Sequence, residues 1–255
     1  LCKFCDRKIG GVNEEIRPGV AKTLIRPEEA PDCVARALEL CPEITVVGIA
    51  GPGDTLATDH ALRAFRAVRR RFSDLIFCLS TNGLLLPEKI SEVVAAGVST
   101  LTVTVNAVDP DILSEINGGV YYRGKFYGGA EGGMLLISKQ IEGIRLAAEA
   151  GLVVKVNTVL IPRVNGRHIE DIAKMAGENG AGIYNIIPLI PQHLFREEEE
   201  PGCEEIDCAR GLAEKYVPVF RHCRHCRADA AGLLGGADFG ERLYQNRVAD
   251  TFSHG

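Results

Sequence analysis

The feature that most constrains the fold is a repeated alternation of short apolar runs, rich in Val, Ile and Thr, with segments of helical spacing. A strand–helix alternation of this kind indicates a parallel sheet covered by helices. The predicted strands are 44–50, 75–80, 100–107, 152–161 and 182–189. The predicted helices are 31–40, 58–72, 87–96, 137–150 and 168–179. The first strand is apolar throughout, and we expect it to be buried on both faces.

About six such units are present if a further strand precedes Leu1. This count predicts an α/β fold, an incomplete TIM-type (βα)6 barrel, rather than a dinucleotide-binding fold. We expect residues 1–200 to form the barrel and 201–255 a cysteine-bearing C-terminal extension of the same globular unit. Two stretches interrupt the alternation: the glycine- and tyrosine-rich residues 118–133, predicted to be a lid, and the acidic run 197–200, predicted to be a surface loop.

The composition excludes several classes of protein. The net charge of −5 argues against nucleic-acid binding, which usually requires a basic balance. No apolar run approaches the ~20 residues that cross a bilayer, and the first residues do not resemble a signal peptide. Nine cysteines is an odd count, which suits reduced thiols that bind metal better than a secreted disulfide framework. We therefore expect a cytoplasmic protein.

Two cysteine pairs could carry chemistry. Cys2 and Cys5 are three positions apart, a spacing that allows one metal centre or a redox disulfide. Cys223 and Cys226 lie among histidines and arginines, which lower thiol pKa values and favour metal binding, with a redox or zinc role as the alternative. The remaining five cysteines are interpreted as structural, two of them in the acidic loop: Cys33, Cys41, Cys78, Cys203 and Cys208.

Polar and glycine residues recur where the predicted strands end. Ligands of parallel α/β sheets bind at these carboxyl ends. The residues concerned are Gly51, Gly53, Asp54, Ser80, Thr81, Asn82 and Asn106, with Asn157 inside the fourth strand. The Gly-Pro-Gly-Asp sequence could equally be a tight turn with a helix cap. Polar residues that recur at the end of one strand after another are harder to explain as turns and favour a ligand site.

Several motifs resemble those of radical S-adenosylmethionine (SAM) enzymes, and more specifically the NifB family, which matures the nitrogenase iron–molybdenum cofactor. They are CKFCDRK at 2–8, GIAGPGD at 48–54, STNGL at 80–84, TVTVNAVDP at 102–110 and HCRHCRADAAGLLG at 222–235. The first is shared by many radical SAM enzymes, whereas GIAGPGD and the last are specific to NifB. Together they span nearly the whole chain.

The resemblance implies that Cys2 and Cys5 are two of three thiolates on a 4Fe–4S cluster that chelates SAM. The family motif places the first cysteine just before Leu1, so we expect an N-terminally truncated, stand-alone member without a carrier domain. Glu14 is the additional candidate catalytic residue. The glycine turn is expected to hold the methionine end of SAM, and Ser80, Asn82 and Asn106 its carboxylate or ribose. The implied cofactor-binding set is Gly51, Gly53, Asp54, Ser80, Thr81, Asn82, Asn106, Asn157 and Ile187.

The resemblance also implies a reaction. One SAM gives a methyl group to a cluster sulfide, and a second gives a 5′-deoxyadenosyl radical that abstracts hydrogen from that methyl. The carbon becomes a carbide as two 4Fe–4S clusters fuse into an eight-iron precursor. Cys223 and Cys226 are expected to bind these auxiliary substrate clusters. Iron–sulfur donors and cofactor carrier or scaffold proteins are the implied partners.

Three other functions fit part of the pattern. Another radical SAM maturase with an auxiliary cluster would share the SAM residues and differ in what the C-terminal cysteines bind. A non-catalytic iron–sulfur carrier or scaffold would explain the cysteines but not Ser80, Asn82 and Asn106. A zinc-stabilised binding module would need two close cysteine pairs in a small unit.

Overall fold

The computed structural model describes residues 1–5, 25–51, 53–221, 230–233 and 235–245. In chain order the strands are β1 (Val46–Ile49), β2 (Ile76–Thr81), β3 (Val98–Thr104), β4 (Val120–Tyr122), β5 (Lys125–Tyr127), β6 (Val153–Leu160) and β7 (Ile183–Pro188). Five of them form one parallel sheet in the order β1-β2-β3-β6-β7, and β4 pairs with β5 as an antiparallel hairpin. The predicted α/β class is confirmed, and each sheet strand lies within a few residues of its predicted position.

The helices follow the strands as predicted. They are α1 (Ala30–Leu40), α2 (His60–Arg71), α3 (Leu86–Ala95), α4 (Pro110–Ile116), α5 (Gly129–Glu149), α6 (Pro162–Asn165), α7 (Ile169–Glu178), α8 (Cys203–Ala213) and α9 (Gly240–Leu243). Short 3₁₀ turns lie at Gly166–His168 and His193–Phe195. No helix in the described part of the chain is both long and apolar enough to cross a membrane.

The two faces of the sheet differ in chemistry. Alternate strand residues such as Phe77, Leu101 and Val156 are fully buried in the core shared with the helices. Because strand side chains alternate, the residues between them point to the opposite side, which we call the inner face. Polar side chains occur repeatedly on this inner face: Cys78, Ser80, Thr100, Thr102, Thr104, Lys155, Asn157 and Asn185.

One prediction about burial is wrong. β1 was expected to be buried on both faces, but its residues alternate between exposed and half-buried, and Val46 is 49% exposed. In the described part of the sheet β1 has one neighbour, β2, so it forms an edge. The sequence pattern of an apolar strand does not show which strand will be outermost.

The stretch 118–133, predicted to be a flexible lid, has regular secondary structure, and its role as a lid stays a prediction. It forms the β4–β5 hairpin, closed by a two-residue turn in which Arg123 and Gly124 both have positive φ, followed by the first turn of α5. Gly133 allows this helix to approach α4, since a Cβ there would lie 2.7 Å from the carbonyl oxygen of Pro110. The glycines therefore permit close packing.

The placement of two cysteines is also corrected. Cys203 and Cys208 were predicted to lie in the acidic loop, yet both lie on α8, where they are exposed. The Glu205 carboxylate accepts a hydrogen bond from the backbone N–H of Gly202, so Glu205 caps the start of the helix. The helix begins at Cys203, with Gly202 as its N-cap residue.

Candidate active site

The Cys2–Cys5 loop is attached to the sheet through the residues between its thiols. The backbone of Lys3 donates to the carbonyl of Ile116 and accepts from the N–H of Leu194. Phe4 is 4% exposed and packs on an apolar cluster that includes residues at the carboxyl ends of β6 and β7: Ile116, Val159, Ile161, Leu189 and Phe195. Both cysteines remain partly exposed. The loop therefore presents its thiols at the edge of the sheet where parallel sheets bind ligands.

The glycine turn after β1 is fastened to the end of β2. Asp54 Oδ1 accepts a hydrogen bond of 2.6 Å from the Thr81 hydroxyl and one of 3.3 Å from the backbone N–H of Asn82. The Thr55 hydroxyl donates to the carbonyl of Ser80. Burial raises the pKa of the Asp54 carboxyl, and these hydrogen bonds act against that rise. Asp54 thus holds the turn in place.

The turn itself is open toward a ligand. Gly51 and Gly53 have φ values of 114° and 77°, a region that L side chains rarely adopt. Apart from Gly53 and its two chain neighbours, no atom of the described residues lies within 4 Å of the point where a Cβ of Gly53 would be. This combination of free space and accessible backbone suits the close approach of a polar small molecule.

The turn after β2 is held by its own side chains and by α5. Asn82 Oδ1 accepts from the backbone N–H of Leu84, and Thr81 Oγ1 accepts from that of Gly83. Gln140 on α5 donates through Nε2 to the carbonyls of Asn82 and Thr104, at 2.7 and 2.8 Å. Sequence reasoning missed Gln140. Its signal is a polar residue on the buried side of an amphipathic helix, where it is 2% exposed.

Asn106 lies just after β3 and connects that strand to β6. Its Oδ1 accepts from the backbone N–H of Val159 at 2.9 Å. The fully buried Asn165 donates to the carbonyls of Asn106 and Val159 and accepts from the N–H of Ile161. The side-chain oxygen of Asn106 is thus engaged inside the protein. Asn165, which the sequence analysis did not single out, completes the connection.

Asn157 and Ile187 lie on the inner face. Asn157 Oδ1 accepts a hydrogen bond of 3.2 Å from Asn185 Nδ2 on the neighbouring strand. Ile187 is 5% exposed and pairs in register with Val159, beneath the cysteine loop. Both residues belong to the buried floor of the site rather than to its rim.

Three predicted residues lie outside the described part of the chain: Glu14, Cys223 and Cys226. Of the other cysteines, Cys33 and Cys41 are buried and Cys78 is half-buried. Within the described residues, no group of three or more His, Cys, Asp or Glu side chains could hold a metal ion. A cluster at the Cys2–Cys5 loop therefore needs a ligand from elsewhere, as a three-cysteine motif requires.

These arrangements define a class of protein. Residues 1–176 match the Radical SAM superfamily. The fold resembles the crystal structure of Streptococcus suis SuiB bound to S-adenosylmethionine, with a TM-score of 0.59 over 90% of this chain and 48% of SuiB, at 13% identity. The chain is a radical SAM enzyme with the partial TIM-type barrel of that class.

The relatives narrow the class further. The chain is 47% identical to the FeMo cofactor biosynthesis protein NifB of Methanocaldococcus infernus, over 91% of this chain and 77% of that protein. It is 44% identical to NifB of Methanocaldococcus jannaschii, over 96% of this chain and 82% of that protein. The chain belongs to the NifB family. Membership of a radical SAM family implies a 4Fe–4S cluster and SAM as cofactors.

Proposed function

We propose that this enzyme fuses two 4Fe–4S clusters and inserts a SAM-derived carbide, giving the eight-iron precursor of the nitrogenase cofactor. The relatives named as FeMo cofactor biosynthesis proteins support the pathway. The observation that carries the proposal is that Phe4 fixes the cysteine loop at the carboxyl edge of the sheet, where Gly53 and Asn82 also lie. A cluster and a SAM molecule would meet at that edge.

The residues of the site fit both cofactors. Cys2 and Cys5 offer two partly exposed thiolates for the cluster, and the open backbone at Gly53 leaves room for the methionine end of SAM. When bound, SAM supplies a methyl group and, on reductive cleavage, a hydrogen-abstracting radical. The protein binds and orients these groups, and the packing around Phe4 excludes water from the floor of the site.

The remaining assignments complete the proposal. Ser80, Asn82 and Asn106 bind the carboxylate or ribose of SAM, Glu14 takes part in the reaction, and Cys223 and Cys226 hold the substrate clusters. An iron–sulfur donor delivers those clusters, and a carrier or scaffold protein receives the product. The reaction takes place in the cytoplasm, where thiols stay reduced.

The test is an anaerobic assay of the full-length enzyme reconstituted with iron and sulfide. With SAM and dithionite, we expect both S-adenosylhomocysteine and 5′-deoxyadenosine. Deoxyadenosine alone would indicate a different radical SAM maturase, and neither product, with iron bound, would indicate a carrier. Cys2→Ala and Cys5→Ala should each abolish both products. Cys203→Ala, which removes an exposed thiol from α8, is the matched control and should keep both.

A further inference from the structure

Lys155 lies on the inner face, in β6, the fourth of the five strands of the described sheet. Its neighbours in β6, Val154 and Val156, are buried in the core on the helix side, so strand alternation points Lys155 to the inner side. In register, Ser80 pairs with Thr102 and Thr102 pairs with Lys155. The three residues therefore form one polar row across the neighbouring strands β2, β3 and β6.

The ammonium group of Lys155 has no counter-ion in the described part of the chain. No described carboxylate lies within 4.0 Å of it, and no described group accepts a hydrogen bond from it. A lysine at the rim of a sheet extends its ammonium group to water. Lys155, by contrast, is the third of eight residues in β6 and is half-buried.

Thr102 provides a second, independent reason to expect a ligand on this polar row. It is 1% exposed, and its hydroxyl has no nitrogen or oxygen partner among the described residues. The Cys78 thiol lies beside this hydroxyl, and a thiol forms only weak hydrogen bonds. Burial raises the pKa of the Cys78 thiol, and the nearby positive charge of Lys155 opposes that rise. Buried polar groups are usually satisfied, so a hydroxyl whose described partner is only a weakly bonding thiol, next to an unpaired cation, indicates a missing ligand.

We propose that Lys155 and Thr102 form an anion-binding subsite that positions the substrate iron–sulfur cluster inside the barrel. The inference rests on the proposed function. Sulfides and thiolates give such a cluster negative charge, and a cation and a hydroxyl donor stabilise its sulfur atoms. Lys155 acts as a positioning residue.

The position distinguishes this ligand from SAM. Adjacent strands are about 4.8 Å apart, so Lys155 lies roughly 10 Å across the sheet from Ser80. The glycine turn and the turn after β2, which suit SAM, are on the β1–β2 side. A second ligand beside SAM would lie over β3 and β6, where the cation is.

The experiment compares Lys155→Met, Lys155→Arg and Lys174→Met in the full chain reconstituted with iron and sulfide. Lys174 is an exposed lysine on α7 and serves as the matched control. Cluster potentials are first measured without SAM in the Cys2→Ala/Cys5→Ala background, which retains the substrate clusters alone. SAM affinity and S-adenosylhomocysteine formation are then measured with both cysteines present.

We expect Lys155→Met to shift the cluster potential to more negative values, because a nearby cation stabilises the reduced, more negative cluster. S-adenosylhomocysteine formation should fall by roughly tenfold, the effect of one lost charge-assisted contact, with SAM affinity unchanged. Lys155→Arg should restore both properties, and Lys174→Met should alter neither. The melting temperature of Lys155→Met should not fall, since no internal partner is lost.

If Lys155→Met leaves both the cluster potential and the rate of S-adenosylhomocysteine formation unchanged, the proposed subsite is wrong. A loss of SAM affinity that parallels the loss of rate would show that the anion is the SAM carboxylate, which would also overturn it. If the wild type forms no S-adenosylhomocysteine, the proposed function fails. The potential measured without SAM still decides whether Lys155 contacts a cluster.

Discussion

The Thr81 hydroxyl donates a hydrogen bond of 2.6 Å to Asp54 Oδ1 and so joins the turn after β1 to the last residue of β2. The same oxygen accepts from the backbone N–H of Asn82. A single partly buried carboxylate therefore sets the relative position of the two turns assigned to SAM. Its burial makes this arrangement costly, because a charged carboxylate is poorly solvated there.

Asp54→Asn should stabilise the fold at neutral pH. Burial raises the pKa of the Asp54 carboxyl above its unfolded value, so this group favours folding at low pH and opposes it once the pH exceeds the folded pKa. We expect the variant to melt about 2–4 °C above the wild type at about pH 8, the shift for roughly 1 kcal/mol. The difference should shrink as the pH falls below the raised pKa of the folded carboxyl, because the carboxyl is then protonated and uncharged. Asp59→Asn, an exposed change on the same segment, should show no such dependence.

Much of the fold could be predicted because its signals are local. The strand 182–189 is a β-branched run after a helix that ends near a glycine, and β7 was found at Ile183–Pro188. The polar strand ends at Ser80 and Asn106 were likewise evident, since turn and ligand residues interrupt an apolar pattern. The family followed from motifs that carry several of these residues at once.

The missed features depend on partners far away in the sequence. Asn165 donates a hydrogen bond to the carbonyl of Asn106, 59 residues earlier, and nothing near either residue in the sequence indicates this contact. Gln140 reaches Asn82 across 58 residues. The β4–β5 hairpin is different, because alternating aromatic residues around Arg123 and Gly124 did carry a local hairpin signal. The abundance of glycine concealed it.

Phe4→Ala should release the cysteine loop from the sheet. The ring packs on the apolar cluster beneath the loop, and its removal leaves a cavity there. We expect reconstituted protein to hold less iron per chain, with a weaker 4Fe–4S absorbance, while the secondary structure stays unchanged. Phe126→Ala, which removes a 46% exposed ring from the hairpin, should keep full iron content. Equal iron in both variants would contradict the role given to Phe4.

Gln140→Leu should destabilise the protein and weaken SAM binding together. The change removes both donors to the carbonyls of Asn82 and Thr104, and each carbonyl left unpaired costs about 1–3 kcal/mol. Urea unfolding measures the first effect, and calorimetric titration of the reconstituted enzyme with SAM measures the second. Ser138→Ala, an exposed change one half-turn earlier on α5, should leave both values near wild type. A destabilised variant with normal SAM affinity would limit Gln140 to packing.

Asn165→Ala should separate the end of β3 from β6. The fully buried side chain makes three hydrogen bonds, two from Nδ2 and one to Oδ1, and no alanine atom can replace them. We expect a loss of about 3 kcal/mol or more in the free energy of unfolding. Amide exchange should increase at Val159 and Ile161, whose N–H groups the network holds. Asn179→Ala loses one hydrogen bond at the end of α7 and should cost about 1 kcal/mol. Comparable losses in the two variants would show that the network adds nothing beyond a single hydrogen bond.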